Sequence, residues 1–302
     1  MRYIITADWH LRSQKPRCRL DDNWMETQKN ALRQIACHAK EHEADVIVIG
    51  DIFHSTNETT NEIIGLVQEF AKELGENELS LYILAGNHDL PQHNIENIHR
   101  AAFSILLNSR NIFHVSQIPD AKEKEVYAPD FGLEEHDRLT DAEIVFRHIL
   151  CFPENEKLPP GAKAVKPSEL FLQSPNAQCI FTGDYHRQFV YQKNKKILLN
   201  PGCLLRQAAD MLDYKPAVFL IYFSDDTLTY ASLPIIDNEK LVTDEYLETE
   251  KLRNYRIEAF IERIKENESV TFDFIENVHT ALKDNTIDVE TKNTILELME
   301  NT

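Results

Sequence analysis

Residues 46–54 read VIVIGDIFH: four β-branched residues, then a glycine, a carboxylate and an imidazole. Such an apolar run predicts a buried strand, and Gly50 predicts a tight turn that points Asp51 back over the sheet edge. By the same criterion, further strands are predicted at Tyr3–Thr6, Leu79–Leu84, Ile144–Leu150, Gln178–Thr182, Ile197–Leu199 and Ala217–Phe223.

Apolar residues at helical spacing lie between the first strands. The three sets are Trp24, Leu32, Ile35 and Ala39; Ile63, Ile64, Val67, Phe70, Ala71 and Leu74; and Ile98, Ala102, Ile105 and Leu106. Strand–helix alternation through residue 115 predicts parallel strands joined by crossover helices. After about residue 175 the strands follow one another closely, so this half is expected to be mostly antiparallel. The chain is therefore predicted to be an α/β protein.

Composition narrows the class of protein. The chain has 302 residues and a net charge of −18, which argues against a stand-alone nucleic-acid binder with a basic face. No run approaches 18 apolar residues, so no transmembrane helix is predicted. The five cysteines are scattered and include no C-x-x-C pair, which favours reduced thiols in a cytoplasmic protein.

The acidic excess is concentrated at the C-terminal end. From Asp237 onwards there are 17 acidic and 8 basic residues, a net charge of −9. This shift predicts a boundary between residues 1–235 and an acidic segment, 236–302. Three apolar sets at helical spacing in that segment fit either a small helical cap or an element that docks a partner helix: Ile257, Phe260, Ile261 and Ile264; Phe274, Ile275, Val278, Ala281 and Leu282; and Ile295, Leu296, Leu298 and Met299.

Polar side chains follow or lie on five of the predicted strands. Taken alone, GDYH at 183–186 fits an ordinary turn as well as half of a metal site. Because ligands gather at the carboxyl ends of strands in an open α/β sheet, all five clusters could face one crevice. Two divalent ions about 3.5–4 Å apart need a shared carboxylate and further oxygen and imidazole ligands. The candidates are Asp8, His10, Asp51, Asn87, His148, Asp184 and His186, with His88 left as a proton donor or charge stabiliser.

In this order, D-x-H, G-D, G-N-H-D, a single histidine and G-x-x-H resemble the calcineurin-like metallophosphoesterases over roughly residues 2–232. The stretches ADWHL, GDIFH, LAGNHDLP and NPGCLLRQ are similar to the SbcD-type exonuclease subunits of DNA recombination and repair, particularly phage-like members. The resemblance implies a four-layer αββα sandwich of two mixed sheets flanked by helices, with a small C-terminal helical appendage. It also implies an Mn²⁺-dependent DNA exonuclease or endonuclease, although Mg²⁺ or another divalent ion would also suit the ligands.

The resemblance also implies a role for each candidate. Asp8, His10 and His186 would hold one ion, Asn87, His148 and Asp184 the second, with Asp51 bridging both and His88, oriented by Asp89, assisting hydrolysis. Two positions depart from the family pattern. Asp184 stands where the family usually has histidine, which favours hard ions such as Mn²⁺ or Mg²⁺. His54 stands where the family often has aspartate, and we expect it at most behind the ligands.

Substrate and partners are less closely defined by the residues. Arg12, Arg17, Arg19 and Arg206 are candidate phosphate contacts, or else solvated loop residues. The resemblance implies DNA as substrate, and an SMC-like coiled-coil ATPase of the SbcC type as partner. The first two helices could also offer an apolar face for a homodimer. Two alternatives stay open: a metallophosphatase or phosphodiesterase acting on a small molecule or phosphoprotein, and an interaction scaffold with a relic site.

Overall fold

Two β-sheets organise the computed structural model, which describes residues 2–119, 125–133, 141–158, 161, 163–223, 228–238, 241–247, 282 and 289–300. The strands are β1 (Arg2–Thr6), β2 (Asp45–Ile49), β3 (Leu81–Leu84), β4 (Ile112–His114), β5 (Val126–Tyr127), β6 (Ile144–His148), β7 (Cys179–Gly183), β8 (Phe189–Lys193), β9 (Lys196–Asn200), β10 (Ala217–Phe223) and β11 (Leu228–Pro234). The α-helices are α1 (Trp24–His42), α2 (Asn61–Gly75), α3 (Ala102–Leu107), α4 (Pro167–Gln173) and α5 (Val289–Glu300).

The first sheet has the strand order β11-β10-β1-β2-β3-β4. Strands β1 to β4 are mutually parallel, while β10 runs antiparallel to β1 and to β11. The three crossovers that this parallel pairing requires contain α1, α2 and α3, as the alternation of patterns predicts. The carboxyl ends of β1, β2 and β3 therefore lie at one edge of this sheet.

The second sheet has the order β5-β6-β7-β9-β8. The expectation of mostly antiparallel strands after residue 175 is confirmed by the pairs β8–β9, β10–β11 and β10–β1, whereas β7, which pairs in parallel with β6 and β9, is the exception. The sequence shows a hairpin-length gap between β8 and β9, but it does not show that the chain returns past β8 to place β9 beside β7. The strands β4, β5, β8 and β11 are not among those that the sequence predicts.

Strand alternation divides the core into layers. On β1 and β2, Ile4 and Val48 pack under the helices, whereas Ile5 and Ile47 face the second sheet. The opposite face of the second sheet packs on α4 through Leu170. The order is thus helices, sheet, sheet, helix, which confirms the four-layer αββα sandwich. Since the apolar residues of α1 and α2 are part of this core, a homodimer stays a prediction.

The first two helices begin where the sequence supplies a cap. The side chain of Asn23 accepts a hydrogen bond from the Glu26 amide, and that of Thr60 accepts one from Ile63. The third predicted helix is shorter than its pattern indicates. A 3₁₀ segment at Ile95–Arg100 contains Ile98, and α3 starts only at Ala102.

The chain divides into two compact units, Met1–Thr243 and Asp244–Thr302. In the second unit the structure describes α5, which carries the third apolar set of the C-terminal segment, while most of the other two sets lie outside the described residues. The predicted boundary at 235/236 stays a prediction. Of the helices in the described ranges, none has the length and apolar character that crossing a membrane requires.

Candidate metal centre

Several residues of the polar clusters predicted at the strand ends have backbone conformations that residues other than glycine rarely adopt. Four of the candidate ligands have positive φ angles: Asp8 (50°), His10 (45°), Asp51 (52°) and Asp184 (82°). A left-handed non-glycine residue costs about 1–3 kcal/mol and persists only where its surroundings impose it. Such strain gathered at the ends of β1, β2 and β7 indicates a functional site.

Two glycines allow the sheets to approach each other here. A Cβ atom on Gly50 would lie 2.1 Å from Nδ1 of His148, and one on Gly183 would lie 2.3 Å from the Ile49 carbonyl oxygen. Gly50 also has a φ of +76°, whereas Gly183 needs only the space. The glycines before the carboxylates therefore serve close packing as well as turning.

One group of donors consists of Asp8, His10 and His186, with one ligand atom of each within 4.8 Å of the others. The Nε2 atoms of His10 and His186 are 3.0 Å apart. Both oxygens of Asp8 accept hydrogen bonds from the Asp184 amide, at 3.0 and 3.1 Å. This contact ties the loop after β7 in the second sheet to the loop after β1 in the first.

A second group consists of Asp8, Asp51 and His148, all fully buried. Nε2 of His148 lies 3.0 Å from Oδ1 of Asn87 and 3.4 Å from Oδ1 of Asp51. The other Asp51 oxygen, Oδ2, lies 3.7 Å from Nε2 of His10. Asp51 thus stands between the two groups, where a bridging carboxylate is expected.

The donor set fits divalent cations. Nδ1–H of His148 donates to the Ile49 carbonyl at 2.9 Å, so the neutral ring turns its Nε2 lone pair towards two oxygen acceptors. Oδ2 of Asp51 is buried with no hydrogen-bond partner among the described residues. Lone pairs that face each other in a buried site repel unless a cation or a proton lies between them. Carboxylate, amide and imidazole donors without thiolate suit Mn²⁺, Mg²⁺, Fe²⁺ or catalytic Zn²⁺.

The ionisable groups depart strongly from their ordinary pKa values. Burial raises the pKa of the Asp8 carboxyl and lowers that of the His10 imidazole. Burial alone would raise the pKa of Asp51, but the charges of His148 and His10 outweigh burial and lower this pKa. Burial alone would lower the pKa of His148, but the charge of Asp51 outweighs burial and raises this pKa. A proton on His148 can therefore occupy the role that a cation has in the loaded site.

His88 lies at the mouth of this site. Its Nδ1 donates to the His54 carbonyl at 2.5 Å, and its ring centroid is 5.0 Å from that of His10. The expected partner, Asp89, is engaged elsewhere, because its buried carboxylate accepts hydrogen bonds from the amides of Gly86, Phe53 and Ile52. Asp89 thus holds the loops after β2 and β3 together, and burial raises its pKa to about 7.

The predicted arginines separate into two kinds. Arg19 and Arg206 are buried and bind Asp237, at 2.9 and 3.0 Å, and Arg19 also binds Asp21 at 2.7 Å. The expectation that these two contact substrate phosphate is corrected, because their guanidinium groups are enclosed and neutralised. Arg17 is exposed.

The fourth arginine is paired with a residue that lines a cleft beside the candidate metal centre. Arg12 pairs with Glu58 at 3.3 Å, while its buried Nε has no hydrogen-bond partner in the described part of the chain. The cleft has a volume of about 700 Å³, and its lining includes His54, Asn57, Glu58, His88, His93 and Arg100.

His54 is closer to the site than its sequence position indicates. It offers a ligand atom within 4.8 Å of those of His10 and His88, and burial lowers its pKa to about 4. The signal is present in GDIFH, but the sequence alone does not show that the loop after β2 turns this ring inwards.

A comparison with protein families matches residues 1–188, more than half of the chain, to Metallophos, the calcineurin-like phosphoesterases. The chain belongs to the calcineurin-like phosphoesterase family. Members of this family use a dinuclear metal centre, which agrees with the two donor groups around Asp51.

A curated relative supports the similarity of this phosphoesterase to SbcD-type proteins. It is the D component of the nuclease SbcCD from Staphylococcus epidermidis, 33% identical over 90 residues. The match covers 30% of this chain and 23% of that protein, so it spans less than a quarter of the relative.

Solved structures with low sequence identity also match this phosphoesterase. A dimetal phosphatase from Danio rerio has a TM-score of 0.45 at 11% identity, covering 78% of this chain and 97% of that one. Vps29 from Entamoeba histolytica in complex with Zn²⁺ has a TM-score of 0.38 at 12% identity, covering 79% and 94%.

Proposed function

We propose that this phosphoesterase is a two-metal phosphodiester hydrolase that cleaves DNA, as the nuclease subunit of an SbcCD-type recombination and repair complex. The observation that carries the DNA assignment is the 90-residue similarity to a nuclease component. The buried donor set around Asp51 supports the hydrolytic chemistry.

In this proposal Asp8, His10 and His186 hold one ion. Asn87, His148 and Asp184 hold the other, and Asp51 bridges the pair. The mutual distances within the two donor groups support most of these assignments, while Asp184 rests on its place beside Asp8. Bound divalent ions, with Mn²⁺ as the proposed pair, would activate water and neutralise charge on the phosphate.

His88 would act on the substrate directly. Because its Nδ1 is engaged by the His54 carbonyl, Nε2 is the nitrogen left to meet a phosphate or leaving-group oxygen. When the ring is protonated, Nε2–H donates to that oxygen and stabilises the charge that develops as the ester bond breaks. The fixed ring orientation reduces the reorganisation that this step requires.

The adjoining cleft would hold the sugar–phosphate backbone. Its polar lining and Arg100 suit phosphate and sugar oxygens, which attract mainly arginine, asparagine and similar donors. Arg12 would join them through the Nη2 end of its guanidinium, which pairs with Glu58 of the cleft lining. Glu58 restrains Arg12 and adds negative charge to the cleft, in keeping with an acidic subunit whose grip on DNA comes partly from elsewhere.

Additional DNA binding would be provided by an SMC-like coiled-coil ATPase. The proposed docking element is the C-terminal segment, whose first apolar set, with Ile257 and Phe260, lies outside the described residues. Ile257→Asp combined with Phe260→Asp should abolish co-purification with the ATPase while leaving hydrolysis of a small ester intact. Retained co-purification would contradict docking by this segment.

The nuclease proposal is tested by supplying Mn²⁺ or EDTA to the purified chain with end-labelled single- and double-stranded DNA and a chromogenic phosphodiester. His88→Ala should keep the fold and lose about 10²–10⁴-fold in rate, the usual contribution of a general acid or base. His99→Ala, which removes an exposed histidine of the 3₁₀ segment Ile95–Arg100, is the matched control.

Each outcome separates the candidate functions. Mn²⁺-dependent DNA cleavage that only His88→Ala loses supports the nuclease. Cleavage of the small ester alone points to a small-substrate phosphodiesterase or to dependence on the ATPase, and adding the ATPase distinguishes these. No hydrolysis and no stoichiometric metal would indicate an interaction scaffold with a relic site.

A further inference from the structure

The last turns of α1 carry another group of potential metal ligands. His38, Glu41 and His42 each offer one ligand atom within 4.8 Å of the other two. This group lies at the opposite edge of the first sheet from the candidate metal centre. Helix α1 ends at His42 just before β2 begins, and the side chain of Arg2, at the start of β1, donates to the His42 carbonyl at 3.0 Å.

The spacing brings these side chains to one face of the helix. Residues three and four positions apart are neighbours on an α-helix, so His38 meets both Glu41 and His42. Two imidazoles and one carboxylate form the usual three-ligand protein set of zinc sites that keep a position open to water. The same nitrogen donors also suit Cu²⁺ and Ni²⁺, whereas Mn²⁺ is bound most weakly of the first-row ions.

The His38 ring is held in place before any ion arrives. Nε2–H of His38 donates to the carbonyl of Pro234, at the end of β11, over 3.2 Å. In the neutral ring this hydrogen bond leaves the lone pair on Nδ1, as is common for histidines that bind metals. Both histidines are half-buried at the margin of the helix stripe that carries the buried Ile35 and Ala39, so the backbone beneath them is anchored in the core.

The local charges favour a cation, except for the positive charge of the Arg2 guanidinium. The carboxyl end of a helix carries partial negative charge, and this group occupies the last turn and the one before it. Glu43 follows directly and pairs with Arg2 at 3.4 Å, so the nearby guanidinium is largely balanced. Glu41 is exposed and has room to turn towards an ion.

We propose that His38, Glu41 and His42 form a further metal-binding site, specific for Zn²⁺ or another ion that prefers imidazole over oxygen ligands. The site is independent of the proposed function. It would fill with Zn²⁺ and stay empty with Mn²⁺, so the metal content of the protein would depend on the ion supplied.

The test is equilibrium dialysis of the full chain against Zn²⁺, with the bound metal measured by elemental analysis. His38→Ala and His42→Ala should each bind one equivalent of Zn²⁺ less than the wild type. His99→Ala, which removes an exposed histidine outside any such group among the described residues, should bind as the wild type does. With Mn²⁺, the wild type and both variants should bind equally.

A second background keeps the two sites apart. In Asp51→Asn, which impairs the candidate metal centre, the equivalent that depends on His42 should remain and should disappear when His42→Ala is added. Circular dichroism checks that each variant is folded. Equal Zn²⁺ stoichiometry in the wild type and both α1 variants would overturn the proposal, whatever the enzymatic result.

Discussion

The buried ion cluster around Asp237 offers the sharpest prediction about stability. The Asp237 side chain is 1% exposed and its carboxylate accepts hydrogen bonds from Nη1 of Arg19 at 2.9 Å to both oxygens, and from Nε of Arg206 at 3.0 Å. Arg19 also forms two bonds with Asp21. Two arginines and two aspartates thus balance one another in a buried environment.

Asp237→Asn keeps the shape of the side chain and removes its charge. It leaves two buried guanidinium groups facing one carboxylate, and an uncompensated buried charge costs about 3–5 kcal/mol. For a unit of this size each kcal/mol lowers the melting temperature by roughly 2–4 °C, so we expect a drop of about 6–20 °C. This is a large part of a typical total stability of about 5–15 kcal/mol.

The measurement is thermal and urea unfolding of the variant, followed by circular dichroism at pH 7. The matched control is Asp213→Asn, which removes the partner of Arg187 at 2.8 Å from an aspartate whose side chain is 77% exposed. Because solvent screens that pair, its loss should leave the melting temperature nearly unchanged. Similar melting temperatures for the two variants would refute the argument that burial makes the Asp237 cluster essential.

Three further predictions concern the candidate metal centre and the cleft. Gly50→Ala would place a Cβ 2.1 Å from Nδ1 of His148 and should lower the melting temperature. Its control, Gly65→Ala, lies in open space on α2 and should stabilise the chain by up to about 1 kcal/mol. Equal shifts of the two melting temperatures in scanning fluorimetry would contradict the argument that Gly50 is needed for the close approach of His148. Mn²⁺ at 100 times its Kd should raise the free energy of unfolding by about 2.7 kcal/mol, and Asp51→Asn should abolish most of this gain, so a full gain in the variant would exclude a bridging role. Arg12→Ala should raise KM for DNA about tenfold, the loss of one charge-assisted contact, without changing hydrolysis of the small ester; a parallel change with both substrates would place Arg12 outside the cleft's DNA contacts.

Residue patterns within a few positions of one another are sufficient to predict where the strands end. An apolar run followed by glycine and a polar residue specifies a buried strand and a tight turn through interactions among neighbours in sequence. For this reason Asp51, Asn87 and Asp184, which each follow such a glycine, can be selected from the sequence alone. The crossover rule then places the ends of parallel strands at one edge.

The same local patterns do not predict which charged side chains are exposed to a substrate and which are enclosed. Arg12 and Arg19 lie in one loop and have the same chemistry, yet Arg12 pairs with Glu58 of the cleft lining while Arg19 is enclosed by Asp237, a residue 218 positions away. Likewise Asp89 follows His88 directly, but its partners are amides of the loop after β2. The pairing of β7 with β9 across the intervening β8 is another long-range choice.

The sequence by itself therefore predicted the fold class, the family and most of the side chains that the structure brings together around Asp51, because these depend on periodicity, turn chemistry and side-chain type. Only the tertiary structure decided that His54 approaches the site, that two of the predicted arginines are structural, and that His38 and His42 offer ligand atoms within 4.8 Å of each other. Those outcomes depend on contacts between segments distant in the chain, whose partners are chosen by the packing of two sheets and not by local preference.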